Sequence, residues 1–336
     1  MPTDKLNRSL RDLRISVTDK CNFRCNYCMP EEVFGDSYKF LPRNQILSFE
    51  EIVRIARLYV KLGVRKIRIT GGEPLLRQEL EQLIKVLAGI DGVDDIAMTT
   101  NGYFLNKKLS LLHQAGLNRL TISLDTLIPQ KFKQMAGQQL QHAQVLKSID
   151  TALECGFHSI KLNCVVQRGV NDDEILALAH FAREKKLTMR FIEFMDVGTL
   201  NQWRMDKVVS AKTILDTIDQ RFPAKAMAKN YPGEVANRFQ YEDGAGEFGI
   251  IASVTNPFCG DCTRVRLSAD GKIYTCLFSS DGLDVRPALR SQISDDSLLE
   301  ILRKCWVKRS DRYSESRSEP SDEKTIKRVE MYHIGG

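Results

Sequence analysis

The chain has 336 residues, 43% of them hydrophobic, enough to bury a sizeable core as one large α/β domain or as a domain with an appendage. Lysine and arginine outnumber aspartate and glutamate by 49 to 43, a modest excess that suits an anionic substrate and falls short of a dedicated nucleic-acid binder. There is no leader-like opening, no run of eighteen apolar residues, no His-Glu-x-x-His pair, no Gly-x-Ser-x-Gly elbow and no Walker loop, so the expectation is a cytoplasmic protein, without membrane spans, that is not a zinc protease, serine hydrolase or P-loop enzyme.

From Arg11 to about Met195, β-like runs alternate with helical patterns, the signature of repeated βα units around a parallel sheet. Strands are predicted at 13–18, 66–70, 96–100, 120–125, 160–166 and 189–194. Between the first two, Ser48 caps a helix with Glu51 at its third position; Ile52, Ile55, Ala56, Tyr59 and Leu62 share one face, and Gly63 ends it. Further helices are predicted at 78–87, 107–115, 139–155, 173–184 and 212–221. Six units are too few for an eight-stranded barrel, so the expected fold class is α/β, an incomplete TIM-like (βα)6 barrel over residues 1–222, with functional loops at the C-terminal ends of its strands. An open doubly wound sheet is the rival. Beyond Arg221, short glycine-punctuated stretches and a cysteine cluster predict a smaller C-terminal region, 223–309, that covers one end of the barrel. Residues 310–327 are dense in Ser, Glu, Asp, Arg and Lys, so 310–336 is expected to be a flexible tail ending in Gly335-Gly336.

The two faces of the strands differ in chemistry. Ile15 and Val17 alternate with Arg14, Ser16 and Thr18, and Ile67 and Ile69 with Lys66, Arg68 and Thr70. Leu120, Ile122 and Leu124 alternate with Thr121, Ser123 and Asp125; Ile160, Leu162 and Cys164 alternate with Lys161 and Asn163. With the apolar set packed on helices, the polar set lines a wet interior in which Arg14, Lys66, Arg68, Lys161 and Arg190 gather. Such cations repel one another unless a polyanion joins them; the alternative is that they are half-exposed and reach solvent.

The nine cysteines are better explained by metal ligation or packing than by disulfides in a reducing compartment. Cys21, Cys25 and Cys28 stand within eight residues directly after the first strand. Three thiolates can hold three irons of a 4Fe-4S cluster and leave the fourth open; a zinc site or a packing cluster is the other reading. Cys259, Cys262 and Cys276 form a second three-ligand set after the turn Asn256-Pro257-Phe258, and this set also fits structural zinc with a distant fourth ligand. The alternation that follows Cys262 aims Arg264 and Arg266 to one side. Cys155, Cys164 and Cys305 read as packing residues.

The Cys-x3-Cys-x2-Cys spacing, with the aromatic Tyr27 before its last cysteine, is followed one βα unit later by Gly71-Gly72-Glu73-Pro74. Together these motifs resemble the radical S-adenosylmethionine (SAM) superfamily. Over nearly the whole chain the sequence is similar to the GTP 3′,8-cyclase family of molybdenum cofactor biosynthesis. The segments that match are Leu13-Arg14-Ile15-Ser16-Val17-Thr18-Asp19, Thr99-Thr100-Asn101-Gly102, Arg190-Phe191-Ile192-Glu193-Phe194-Met195, the second cysteine set with its arginines, and the final Gly335-Gly336. Asn7 and Lys20 depart from the family, which has Gly and Arg there, and neither is a ligand position.

This resemblance implies two 4Fe-4S clusters, on Cys21, Cys25 and Cys28 and on Cys259, Cys262 and Cys276. SAM binds the open iron of the first, with Tyr27, Gly72, Ser123 and Met195 at its binding positions. GTP lies between the clusters, its guanine near the second; its triphosphate meets Arg14, Arg68, Lys161, Arg264 and Arg266, with Lys66, Arg190 and Thr99 as further contacts. Arg264, Arg266 and the Gly335-Gly336 tail are the implied catalytic residues. A 5′-deoxyadenosyl radical takes hydrogen from ribose C3′, and that carbon attacks C8 of guanine. Implied partners are a reductant or flavodoxin-type electron donor, the downstream cyclic pyranopterin monophosphate synthase and a second copy as a homodimer, with neither nucleic acid nor membrane. The alternatives are a radical SAM peptide-modifying enzyme with an auxiliary cluster, or a zinc-bearing nucleic-acid binder.

Overall fold

Each segment of alternating polarity forms a strand. The computed structural model describes residues 1–157, 159–317 and 328–335. Strands β1 (Asp12–Ser16), β2 (Lys66–Thr70), β3 (Asp95–Thr100), β4 (Arg119–Ser123), β5 (Ile160–Val166) and β6 (Thr188–Glu193) lie side by side in chain order, all parallel. A strand order that never reverses puts every right-handed crossover helix on one face, which excludes the doubly wound rival and leaves a barrel-like sheet. The apolar residues Ile15, Ile67, Ile69, Leu120, Ile122, Leu162 and Cys164 are buried on the helical side, so the polar set faces inward as its alternation requires.

The C-terminal strands are β7 (Ala224–Met227), β8 (Asn237–Tyr241), β9 (Glu247–Ile251), β10 (Arg264–Leu267), β11 (Lys272–Tyr274) and β12 (Leu283–Asp284). They form the smaller C-terminal region expected from the sequence, and they extend both edges of one sheet, in the order β12-β11-β10-β1-β2-β3-β4-β5-β6-β9-β8-β7. β10 runs parallel to β1 and β9 parallel to β6, so eight parallel strands are contiguous. The physical reason is the edge: an open six-stranded sheet leaves two rows of unpaired N–H and C=O groups, which these segments satisfy.

The first long helix, Phe49–Lys61, starts as its sequence dictates. The Ser48 hydroxyl accepts from the Glu51 amide, and the Glu51 carboxylate accepts from the Ser48 amide at 2.7 Å. Helices Pro129–Ala136 and Asp295–Val307 were not predicted as elements; the second buries Leu298, Leu302 and Trp306. Cys155 and Cys305 pack half-buried against the core. No helix among the described residues is long and apolar enough to cross a membrane.

The expected flexible tail is corrected where it is described. Tyr313–Ser316 is helical, and the Asp196 carboxylate gathers the Tyr313 hydroxyl, Arg317 at 3.0 Å and Arg328 at 2.9 Å. Of the described part of the segment, Tyr313 and Arg317 are tied into this knot, and Ile334 is fully buried. Residues 318–327 and Gly336 lie outside the described residues.

Candidate active site

The loop after β1 carries the first cysteine set and is held on all sides. The Arg24 guanidinium donates to the carbonyls of Cys21, Phe23 and Phe34, while the Arg24 and Asn26 amides donate to Ala136 and Met135. The Cys28 and Met29 amides both reach the Cys25 carbonyl, which turns the chain and brings the thiols to one side of the loop. Burial pushes the Cys21 thiol up to about 12 and also raises Cys25 and Cys28. Three neighbouring, half-buried thiols whose thiolates a bound cation would stabilise fit an iron-sulfur cluster. No three described Cys, His, Asp or Glu side chains converge tightly enough for a single ion; in a cubane each thiolate grips a different iron, so no such convergence is needed.

Gly72 has a structural reason to be glycine. A Cβ there would stand 2.3 Å from the Lys20 carbonyl oxygen and 2.9 Å from that of Asp19, so the turn after β2 lies directly on the cysteine loop. Glu73, which the sequence reading left without a role, cements this junction. Its buried carboxylate accepts from the Leu75 amide, the Thr100 hydroxyl and the Asn101 amide, while its own amide donates to Lys20. Burial raises its pKa to about 7 against these hydrogen bonds. Gly72→Ala should lower stability by about 3 kcal/mol, the upper range for overpacking against backbone, as measured by a shift in the denaturant midpoint; an unchanged midpoint would mean that the two loops can part.

A cavity of about 220 Å³ fills the barrel interior. Among the predicted residues, Arg14, Tyr27, Lys66, Arg68, Thr99, Arg190, Met195, Arg264, Arg266, Cys259, Cys262 and Cys276 line it. Lys161 lines a smaller adjoining cavity, which shares Arg68, Arg119 and Arg190 with the first. Gly72, Ser123 and the first three cysteines lie outside both linings. Ser123 ends β4 opposite Asn163 of β5; Tyr27 donates to the buried Asp125 carboxylate at 2.6 Å. Met195, just past β6, accepts from the Ser253 hydroxyl.

The cations of the cavity are poorly compensated. Arg68 donates to the hydroxyls of Thr99 and Thr121 at 3.1 Å, and Arg190 to Asn163 and Thr121, all neutral acceptors. Burial and then neighbouring arginines press Arg14 well below its usual range and bring Arg190 to about 9. Burial, then Arg190 and Arg119, lower Lys161 to about 8. The lining carboxylates offset only part of this charge: Asp95 pairs with Arg119 and Asp311 with Arg309, both cations of the same cavity, while Asp12 accepts from Thr263 and Glu193 from the Ala211, Val254 and Thr255 amides.

The second cysteine set sits at the β10 edge. Its loop is fixed by residues that belong to no motif: Arg8 donates to the Cys259 carbonyl at 2.8 Å, and Arg309 to the Cys262 carbonyl at 2.7 Å. Both arginines meet the fully buried Asp4 carboxylate, so the N-terminal segment and the helix ending at Val307 clamp the loop together. Burial pushes the Cys262 thiol up, yet Arg264, 3.3 Å away, and Arg309 hold it down at about 6. Burial raises Cys276 to about 11. Three thiols beside fixed cations fit a second anionic cluster.

The C-terminal segment joins the two sets. Tyr332 packs on Met29 and Phe34 of the first cysteine loop, and its hydroxyl meets that of Tyr38 at 2.8 Å. At the other end of the segment, Arg266 donates to the Gly335 carbonyl. A Cβ on Gly335, whose φ is +70°, would clash with Thr70 at 2.1 Å, so the tail reaches the C-terminal end of β2 because it is glycine.

Comparison with known proteins agrees with this geometry. Residues 15–182 match the Radical SAM superfamily model, and 187–315 the Molybdenum Cofactor Synthesis C model. The chain is 53% identical over 323 residues to the GTP 3′,8-cyclase of Acidothermus cellulolyticus, covering 95% of this chain and 89% of that one. It is 48% identical to the GTP 3′,8-cyclase of Staphylococcus haemolyticus, covering 99% and 98%. Among solved structures, Streptococcus suis SuiB bound to S-adenosylmethionine superposes with a TM-score of 0.63 at 15% identity, covering 94% of this chain and 69% of that one, which supports the fold. A radical SAM barrel, a matching C-terminal region and near full-length identity to curated relatives converge: the chain belongs to the GTP 3′,8-cyclase family.

Proposed function

We propose that this chain cyclises GTP to (8S)-3′,8-cyclo-7,8-dihydroguanosine 5′-triphosphate, the first step toward the molybdenum cofactor. One observation carries the choice of substrate: the half-buried guanidinium groups of Arg68 and Arg190 donate only to neutral partners, an arrangement that a triphosphate would relieve. Arg14, Lys66, Arg68, Thr99, Lys161 and Arg190 receive the phosphates, and Arg264 and Arg266 hold the nucleotide from the β10 edge. Cys21, Cys25 and Cys28 hold the 4Fe-4S cluster, with Tyr27, Gly72, Ser123 and Met195 around SAM; Cys259, Cys262 and Cys276 hold a second cluster that receives guanine. When bound, the first cluster would supply the electron for cleavage of SAM to methionine and a 5′-deoxyadenosyl radical able to take hydrogen from ribose C3′, and one further electron from the reductant with a proton would complete the cyclised product. The protein's own share is to orient C3′ toward that radical and C8 of guanine toward C3′, and to exclude water. Arg266, which lines the cavity and donates to the Gly335 carbonyl, and the Gly335-Gly336 end are the further residues assigned to catalysis, Gly336 lying outside the described residues.

The electron donor is a flavodoxin-type or other small reductant, the product passes to the cyclic pyranopterin monophosphate synthase, and the enzyme works in the cytoplasm, as a homodimer. A peptide substrate fits less well, because a peptide brings no charge comparable to this cluster of cations.

The pH dependence of GTP binding tests the assignment. A bound polyanion raises the pKa of Lys161 above its free value of about 8, so binding takes up a proton: affinity is full below that value and falls as pH rises through it. Phosphate ionisation near 6 lies clear of this range. Between pH 7.5 and 9 the dissociation constant should rise up to about tenfold, and Lys161→Gln should flatten the curve; a flat wild-type curve would remove Lys161 from the site.

A further inference from the structure

The open barrel has a gap between its two edges, and one loop crosses it. Residues 228–236 join β7 to β8, which lie beyond β9, yet they dock on the segment that leads into β10 on the other side of the gap. Lys229 pairs with Asp261 at 2.7 Å, and Gly233, at φ +86°, lies so close to Thr263 that a Cβ would stand 2.7 Å from its hydroxyl. The loop is braced from within: Arg238 donates to the Asn230 side chain at 2.8 Å, and the Glu234 carboxylate accepts from the Asn230 amide at 2.7 Å. It is therefore a built closure of the seam.

Tyr231 and Val235 of this loop line both cavities, and Tyr231 brings the polar group. Its ring caps Lys66, whose ammonium lies 3.3 Å from the ring centroid. Lys66 and Arg119 open β2 and β4, and Lys161 is second in β5, so Tyr231 stands among the cations at the N-terminal end of the barrel, away from the cysteine loop at the other end. Burial, with Asp12 and Glu234, raises its pKa against the pull of Arg119 and Arg68, so the hydroxyl keeps its proton and can donate it.

Resting on the reading of the cavity as a triphosphate site, we propose that Tyr231 gauges the length of the phosphate chain: its hydroxyl donates to the terminal phosphate of the nucleotide, while its ring holds Lys66 against the same group. A triphosphate reaches the seam and a diphosphate stops short of it. No residue of the cysteine sets takes part.

The test compares GTP and GDP affinity by equilibrium dialysis with the cluster-loaded enzyme. Tyr231→Phe keeps the ring over Lys66 and removes only the hydroxyl. It should weaken GTP by about tenfold or more, the scale of one charge-assisted hydrogen bond, and GDP by less than about twofold. Tyr231→Ala should weaken GTP further and again spare GDP. Equal losses for both nucleotides, or an unchanged preference in Tyr231→Phe at unchanged melting temperature, would overturn the proposal. Should the alanine variant fail to fold, the phenylalanine variant decides alone. If the wild-type enzyme bound neither nucleotide, the triphosphate reading itself would fail instead.

Discussion

Cys25→Ser should abolish formation of 5′-deoxyadenosine from SAM, a loss of at least about a thousandfold, as for other residues that act as one unit. Cys25 sits in the middle of the loop, and its carbonyl takes the Cys28 and Met29 amides. Serine keeps that backbone turn and removes the sulfur. A serine hydroxyl is a harder donor that stays protonated at neutral pH, so it replaces neither the softness nor the charge that an iron-sulfur cluster needs. Iron per chain should fall by about half, since one cluster of two is lost. GTP affinity should hold within about twofold, because the cations of the cavity belong to other elements. Undiminished cleavage of SAM would show that the cluster is held elsewhere.

Cys259→Ser should give the complementary phenotype. SAM cleavage persists, while the cyclised nucleotide drops by at least about a hundredfold, since the guanine end loses its anchor. The clamp on this loop acts through backbone: Arg8 reaches the carbonyl of residue 259, which serine retains. A folding defect is therefore not expected, and the thermal midpoint should move by less than about 3 °C. Normal cyclisation by this variant would rule out the second cysteine set as a substrate anchor. The two variants together separate generation of the radical from its use.

Much of this arrangement is legible in the sequence, because strand alternation and motif spacing are local. Arg14, Lys66, Arg68 and Arg190 alternate with apolar neighbours, and the structure brings all four to one cavity. The capping box at Ser48 and Glu51 is equally local. What escaped reading depends on contacts distant in sequence. Arg8 and Arg309 are some 300 residues apart and meet on Asp4, and neither carries a motif. Edge pairing by β9 and β10 follows from the needs of an open sheet, which no short pattern records. The Ser- and Arg-rich segment near Tyr313 looks disordered by composition, because its partner, Asp196, lies more than a hundred residues away. Glu73 was visible inside its motif, but its role needed the three donors that converge on it.

The most direct measurement is transfer of a label. GTP deuterated at ribose C3′ would be incubated without oxygen with the cluster-loaded enzyme, SAM and a reductant, and the nucleosides and nucleotides separated and weighed. The account predicts methionine, 5′-deoxyadenosine carrying the deuterium, and a nucleotide that elutes apart from GTP. Deuterium retained in GTP that is recovered unchanged would contradict it.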